Sequence, residues 1–434
     1  MTVQAEAGKE MTDRQKNMHL IIISVDALVA EDLECLDELP AFGKMITDGF
    51  YQKNIITVYP SLTHAVHASI ITGQSAGITG ITGNTIFTPE KKEMPWFNDY
   101  SDIKCETILD LAKKAGLVTA SCRWPVTARG GEVIDLLVPE IMAEDMENAG
   151  GDWHKAYISC GTTPCLMEEV GRAIGKYGSS LEHPMYDEVQ IDCACEIIKK
   201  YKPNILLIHP GTVDSERHRT GLFSSFVKDA VKKSDEWTGR LIDASKEAGI
   251  YENTDFVVLS DHGHLPYSKL VNINGMLKNE GLIRTDENGN VIDWDAFILS
   301  CDLSAQVFLK TPDNMELKRR VENLLYKWRG DGGYGIESVM SAEEAENVYG
   351  LKGGFSFVIE SREGYCFEND TKEPLIRIDP PVAAGLGHST HGHMPQKGPK
   401  PVFIGFGPDF DAGEIRDGGS ILEHFDVFRK LLGV

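Results

Sequence analysis

Five short segments place residues able to bind cations, or to attack an electrophile, where the chain is about to turn. Asp26 closes the apolar run 19–25, HLIIISV. Thr63 lies within 59–73, YPSLTHAVHASIITG, at the start of an Ala- and Ile-rich stretch that Gly73 would end. A hydroxyl there sits where free backbone N–H groups and the positive end of a helix dipole would hold an anion such as phosphate. Asp214 and His218, four apart in TVDSERHRTG, would point at a single metal from one helical turn. Asp261 and His262 are adjacent in SDHGH, so both reach a metal only from a loop at a strand tip, and the following glycine permits that bend. His388, His391 and His393 crowd the glycine-rich GLGHSTHGHMP.

Each segment also has a plainer reading. Thr63 would serve equally as an N-cap, with Ser61 as a rival hydroxyl. Asp26 could cap a turn, and Asp214 with His218 could belong to a solvated loop. Asn84, in GITGN, could donate its amide to an oxyanion or merely form a turn. What favours chemistry is the series of strand ends, each followed by Asp with or without His.

Those ends need a scaffold. Apolar runs at 19–25, 204–209 and 255–259 read as central strands of a parallel sheet covered on both faces, with 54–58 and 118–122 as further strands. Helical patterns at 39–49, 65–72, 108–116, 185–201, 226–248 and 422–432 alternate with them. In such open α/β sheets ligands bind beyond the carboxyl ends of the strands. The stretch 140–178 shows no strand pattern and reads as a helical or looped excursion that could form part of a lid. From 269 to 384 the pattern changes: strands at 305–309 and 355–360 and helices at 271–279 and 315–328 suggest a smaller inserted α+β domain. The expected organisation is a metal-binding α/β core at 19–268 and 385–434, a cap at 269–384 and a polar segment at 1–18.

At 434 residues the chain exceeds one ordinary hydrophobic core, and 42% hydrophobic content is that of a globular protein. Acidic residues outnumber basic ones 66 to 43, for a net charge of −23, which disfavours a nucleic-acid polymer as partner. The nine cysteines are odd in number and scattered, as expected of reduced thiols in a cytoplasmic protein. The apolar run 20–25 is too short for a signal h-region or a membrane span, so no membrane partner is expected. A homo-oligomer is compatible with this composition.

Taken in order, Asp26, PSLTHAVHASIITG, Asp214-x-x-x-His218, Ser260-Asp261-His262-Gly263 and Thr390-His391-Gly392 resemble the alkaline phosphatase superfamily, and within it the type I phosphodiesterase/nucleotide pyrophosphatase family. The resemblance implies a mostly parallel sheet with helices on both faces and two divalent metal ions. Asp26, Thr63, Asp261 and His262 would hold one ion, and Asp214, His218 and His391 the other. Histidine and carboxylate ligands without thiolate suit zinc, with manganese or iron as alternatives. The same resemblance implies that Thr63 attacks phosphorus and becomes phosphorylated, with Asn84 holding a non-bridging oxygen, on a small phosphoester such as a nucleotide.

The chain departs from the family in having His264 after the DHG segment and His393 after the final HG. These imidazoles would contact a phosphoryl oxygen or a leaving group, or lie on the surface. Trp96, Phe97 and Trp153 are the candidate residues for stacking on a base. A phosphomonoesterase or phosphonoacetate hydrolase-like enzyme shares the same ligand pattern, and a non-catalytic metal- or phosphate-binding protein is a third prospect. A sulfatase lacks support because no Cys-x-Pro-x-Arg segment is present, and a threonine nucleophile disfavours phosphoglycerate mutase-like chemistry. The match to G-x-G-x-x-G at 330–335 follows a predicted helix, not a strand, which argues against a dinucleotide site.

Overall fold

The structure is a computed structural model that describes residues 17–434 apart from Lys92 and Ala384. Most of the polar segment expected at 1–18 therefore lies outside the described residues. Apolar runs buried on both faces build an eight-stranded sheet in the order β18-β2-β17-β6-β1-β5-β3-β4. These strands are β1 (His19–Ser24), β2 (Phe50–Lys53), β3 (Thr119–Cys122), β4 (Leu136–Val138), β5 (Ile205–Ile208), β6 (Thr254–Leu259), β17 (Phe403–Phe406) and β18 (Glu414–Asp417). β1 pairs in parallel with both β5 and β6, and β17 runs antiparallel to its two neighbours. The sheet is thus mostly parallel, as the apolar runs predict.

Side chains alternate across this sheet. Ile21, Ile23, Leu206, Ile208, Phe256 and Val258 face one core, built with helices Pro40–Asp48, Met185–Tyr201 and Ser225–Ala248. Leu20, Ile22, Ile205, Leu207, Val257 and Leu259 face the other, under helices Thr63–Thr72, Ile108–Lys114 and His424–Leu432. Period-two alternation with apolar residues on both sides is what a covered parallel sheet requires. Because β6, β1 and β5 are immediate neighbours, the residues just past their carboxyl ends converge.

One expectation needs correction. Residues 54–58 do not form a strand. Asn54 adopts a left-handed φ of 58° and ends β2, after which Ile55 and Ile56 donate singly to the carbonyls of Pro401 and Gly419. The stretch 140–178 is helical, within the helical or looped reading, and much of it packs on the core. It contributes helices Ala143–Asn148, Trp153–Ser159 and Met167–Tyr177, whose Ala156, Tyr157, Val170 and Ile174 are buried in the first core.

Between the two halves of the large sheet, the chain builds others. β10 (Ala296–Cys301), β11 (Ser304–Leu309), β12 (Ile336–Ser341) and β13 (Phe357–Ser361) form an antiparallel sheet in the order β10-β11-β13-β12. Its core includes Phe297, Val307, Phe357 and, from helix Met315–Asp331, Trp328. β7 (Leu265–Asn272) is flanked by β14 (Gly364–Glu368) and β15 (Ile376–Ile378), and its first residues pair antiparallel with β16 (His388–Thr390). β8 (Ile283–Thr285) and β9 (Val291–Trp294) add a hairpin. Most of these strands are short and half exposed, so they lack the continuous apolar signature of β1, β5 and β6.

Glu360 of β13 straps this region to the large sheet's loops. Its buried carboxylate accepts from the Met394 N–H (2.9 Å) and the Tyr59 O–H (3.0 Å), and Lys397 Nζ stands 3.1 Å away. Burial pushes the carboxyl up to about 7, against the opposing pull of Lys397, the Met394 N–H and Tyr59. A raised carboxyl binds its proton in the folded state, so its stabilising contribution is full below its ordinary 4.5 and is lost as pH rises through about 7. Calorimetric melts between pH 5 and 8 should show a decline in wild-type stability on the order of 3 kcal/mol from this group. Glu360→Gln should flatten that slope.

Candidate functional site

The three sheet neighbours deliver their cargo side by side. Asp26 lies two residues past β1, its backbone N–H bound to the Pro210 carbonyl at 3.1 Å. Asp261 and His262 follow β6, with the Ala27 N–H donating to Asp261 Oδ1 at 3.1 Å. Gly263 is required here by close approach, since a Cβ would stand 2.2 Å from the Pro399 carbonyl oxygen. Past β5 the chain enters helix Thr212–Thr220, whose first and second turns carry Asp214 and His218.

Asp187, from helix Met185–Tyr201, holds the start of that helix. Its carboxylate accepts from the Gly211 N–H (3.1 Å), the Thr212 hydroxyl, His183 Nδ1 (2.9 Å) and Arg123 Nη1 (2.7 Å). Burial opposes its ionisation, but His183, Arg123 and Thr212 hold it well below the usual carboxylate range. Arg123 is itself buried, lies 3.4 Å over the Tyr186 ring, and approaches Glu140 at 3.8 Å.

Thr63 is the first residue of helix Thr63–Thr72, and Leu62 stands at the N-cap without a side-chain bond. The hydroxyl is therefore not spent as a cap. It faces His262 Nε2 at 3.3 Å. His67, one turn on, donates Nδ1–H to the Thr63 carbonyl (2.7 Å) and accepts from the Ser24 hydroxyl (2.8 Å), which fixes the turn beneath Thr63. Asn84 Oδ1 accepts the His64 N–H at 3.0 Å. Because a backbone N–H needs an acceptor, that bond assigns the amide orientation and leaves the NH₂ for another acceptor. Ser61 donates to the His393 carbonyl at 3.0 Å, so the rival hydroxyl is occupied.

His391 reaches the cluster through β16. Its Nδ1 bonds the Ser61 carbonyl at 3.0 Å, and its ring stacks on that of His262 with centroids 3.9 Å apart. Gly392, at φ 83°, could carry no side chain, because a Cβ would lie 1.9 Å from the Cys301 carbonyl oxygen.

Two groups emerge in which one ligand atom from each residue lies within 4.8 Å of the others: Asp26, Asp261 and His262; and Asp214, His262, His264 and His391. In the first, His262 Nε2 is 3.1 Å from Asp261 Oδ2 and 3.5 Å from Asp26 Oδ1. His218 stands beside the second, its Nε2 3.3 Å from Asp214 Oδ2. Burial, then the neighbouring Asp214 charge, pushes Asp26 well up, and burial with Asp26 does the same to Asp261. Asp214 is held well down, because His218 and His264 outweigh its burial. Asp26 Oδ1, Asp261 Oδ2 and His262 Nδ1 are buried with no hydrogen-bond partner among the described residues. Orphaned carboxylate oxygens facing an imidazole fit a divalent cation.

The other residues singled out in the sequence divide. His264 and His393 are both buried, which excludes a surface role. His264 joins the second group, whereas His393 bonds the Met394 carbonyl through Nδ1. His388 turns away, its Nε2 on the Pro380 carbonyl and its ring on Tyr267. Trp96 is 40% exposed beside His64, while Phe97 packs against the small cluster around Leu62 and Trp153 against the first core. Sequence reading missed His67, His209, Arg123, Glu140 and Asp187. His209, whose Nε2 is 3.1 Å from Asp26 Oδ2, stands directly after β5 and was open to the same strand-end rule that singles out Asp26.

Similarity to known proteins agrees with this fold. The sequence profile described as type I phosphodiesterase/nucleotide pyrophosphatase matches residues 20–349. Human ectonucleotide pyrophosphatase/phosphodiesterase family member 1 is 27% identical over 256 residues, covering 56% of this chain and 23% of that protein. Venom phosphodiesterase of Naja atra is 23% identical over 257 residues, covering 56% and 26%. The matched region thus spans about a quarter of these relatives' length. Among solved structures, human ectonucleotide pyrophosphatase/phosphodiesterase 5 superposes with a TM-score of 0.65 at 16% identity, covering 96% of this chain and 95% of that one. An inactive variant of the mouse protein, solved in complex with AMP, gives 0.62 at 15% identity with the same coverage. At these identities the structures establish the shared fold.

Removing the Asp187 carboxylate should strand Arg123 and release the helix that carries Asp214. Urea unfolding of Asp187→Ala should show a loss of about 3–5 kcal/mol, as when one partner of a buried ion pair is deleted.

Proposed function

The chain belongs to the type I phosphodiesterase/nucleotide pyrophosphatase family, and from that premise we propose that it hydrolyses small phosphodiesters or nucleotide pyrophosphates with Thr63 as nucleophile. The observation that carries this reading is the Thr63 hydroxyl, uncommitted to its own helix and 3.3 Å from His262, at the edge of two cation-grade clusters. Asp26, Thr63, Asp261 and His262 would hold one divalent cation, and Asp214, His218 and His391 the other, zinc suiting this donor set. When bound, such a pair supplies charge stabilisation to the attacking and leaving oxygens of an in-line displacement.

The chain's own residues do the rest. Thr63 Oγ forms a bond to phosphorus as the ester P–O bond breaks, and the hydroxyl proton leaves with the alcohol product. Water then cleaves the phosphothreonine and restores the hydroxyl. Asn84, its oxygen fixed on the His64 N–H, has its NH₂ free to hold a non-bridging oxygen beside the helix N-terminus.

We read 269–384 as a cap supplying walls for the part of the substrate that does not react. A cleft of about 890 Å³ lined by Thr85, Trp96 and Met142 on one side and Val291, Phe297 and Thr371 on the other supports this. The AMP bound to the mouse structural neighbour favours a nucleotide as occupant. All nine cysteines are free thiols, and no helix among the described residues is long and apolar enough to cross a membrane. On the thiols we place the protein in a reducing compartment, the cytoplasm.

Turnover of a nitrophenyl phosphodiester, the corresponding monoester and phosphonoacetate tests the substrate class. The diester should be cleaved fastest, and faster monoester or phosphonate turnover would assign the enzyme to those reactions instead. Thr63→Ala should lower diester turnover by about 10³-fold or more while the chain keeps its fold by circular dichroism. Wild type that binds about two cations yet cleaves no phosphoester would leave only a binding role. Chelation of wild type should abolish activity, and added zinc should restore it.

A further inference from the structure

His264 is 1% exposed, and no role assigned above uses it. Its surroundings fix its tautomer. The Ser389 hydroxyl donates its single hydrogen to the Arg217 carbonyl at 2.8 Å, so towards His264 Nδ1, 3.1 Å away, it can only accept. Nδ1 therefore carries the ring hydrogen, and in the neutral ring Nε2 presents a lone pair. His391 is locked the same way, with Nδ1–H on the Ser61 carbonyl. Both lone pairs converge on one carboxylate oxygen, Asp214 Oδ1, at 2.7 Å from His264 and 3.8 Å from His391. Two lone pairs and a carboxylate oxygen repel unless a positive charge lies among them.

The backbone makes this convergence rigid. Thr390 pairs with Leu265, so the residue just before β7 and the residue just after β16 stand side by side. His218 is held less firmly: it reaches the other Asp214 oxygen from a helix, and its side chain is 37% exposed. Donor atoms around a tetrahedral zinc stand roughly 3.3 Å apart, given bonds of about 2.0 Å. His264 and Asp214 would need to part by only about half an ångström.

We propose that His264 is a direct ligand of the second cation, joining Asp214 and His391, so that this site is richer in imidazole and leaves fewer positions open to water. The inference rests on the two-cation reading. A nitrogen-rich site of this kind favours zinc over manganese or magnesium.

The full chain, loaded with zinc or cobalt(II) and dialysed against graded chelator, provides the test. His264→Gln keeps a hydrogen-bond donor for Asp214 but is a poor cation ligand. If His264 is a ligand, the variant should hold about one cation where wild type holds two, with second-site affinity down by more than the ~10–100-fold that follows loss of an outer-sphere partner. The visible spectrum of the cobalt form should change with it. A variant with two cations, near-native affinity and an unaltered spectrum would overturn the proposal and leave His264 as a hydrogen-bonding support. A crystal structure of zinc-loaded wild type decides independently of how the variant folds: Nε2 within about 2.1 Å of zinc supports the assignment, and Nε2 on Asp214 but about 3 Å or more from zinc overturns it. Wild type that takes up no cation would overturn the two-cation reading itself.

Discussion

Three carboxylates packed together in a dry place are the constraint to which this molecule answers. Asp26, Asp214 and Asp261 lie within one constellation, and two of the three are pushed well above their ordinary range, Asp26 by burial and the Asp214 charge, Asp261 by burial and the Asp26 charge. Such a group is tolerated only where positive charge compensates it. The surrounding imidazoles supply part of that compensation, and the orphaned oxygens of Asp26 and Asp261 mark where it is incomplete. The order β6-β1-β5 creates the problem by placing three strand ends together, and the same order makes the centre useful.

Around the centre lies a second layer of buried polar and charged side chains that fixes orientation. His209 bonds Asp26, His67 ties the turn beneath Thr63 to Ser24, and Arg123 with Asp187 anchors the helix bearing Asp214 and His218. Glu140 completes the layer: burial pushes it up, but His64 and Arg123 outweigh that and bring it to about 2. In the mechanism we propose, a Thr63 hydroxyl held in this way reaches its target with little reorganisation, which is where much of an enzyme's advantage originates.

How much of this was legible in the sequence depended on how local the signal was. The buried runs of β1, β5 and β6 and the four-residue spacing of Asp214 and His218 announce themselves, and the helix beginning at Thr63 follows from its composition. The stretch 54–58 misled because β-branched residues do not reveal that Asn54 turns the backbone out of the sheet. The stretch 140–178 was read as helical or looped without helix bounds, and most strands between 265 and 390 were obscured because one face of each meets solvent. Arg123 and Asp187 are 64 positions apart, and no pattern in the chain pairs them. His264 was visible as a departure from the family's usual residue, but its place beside His391 depends on a strand pairing that spans more than a hundred residues.

That pairing also separates two problems of protein architecture. The chain leaves the centre at Leu265 and returns at Thr390, and these two residues are partners in one ladder. Exit and re-entry are clamped together like the stem of a loop, and the looped-out chain braces the histidine segment at a few points only, through Leu303 on the His391 carbonyl, Ser304 on the Gly392 carbonyl and Glu360 on the Met394 N–H. The β8–β9 hairpin carries none of these braces yet lines the cleft, so its sequence can vary without disturbing the spacing of the histidines.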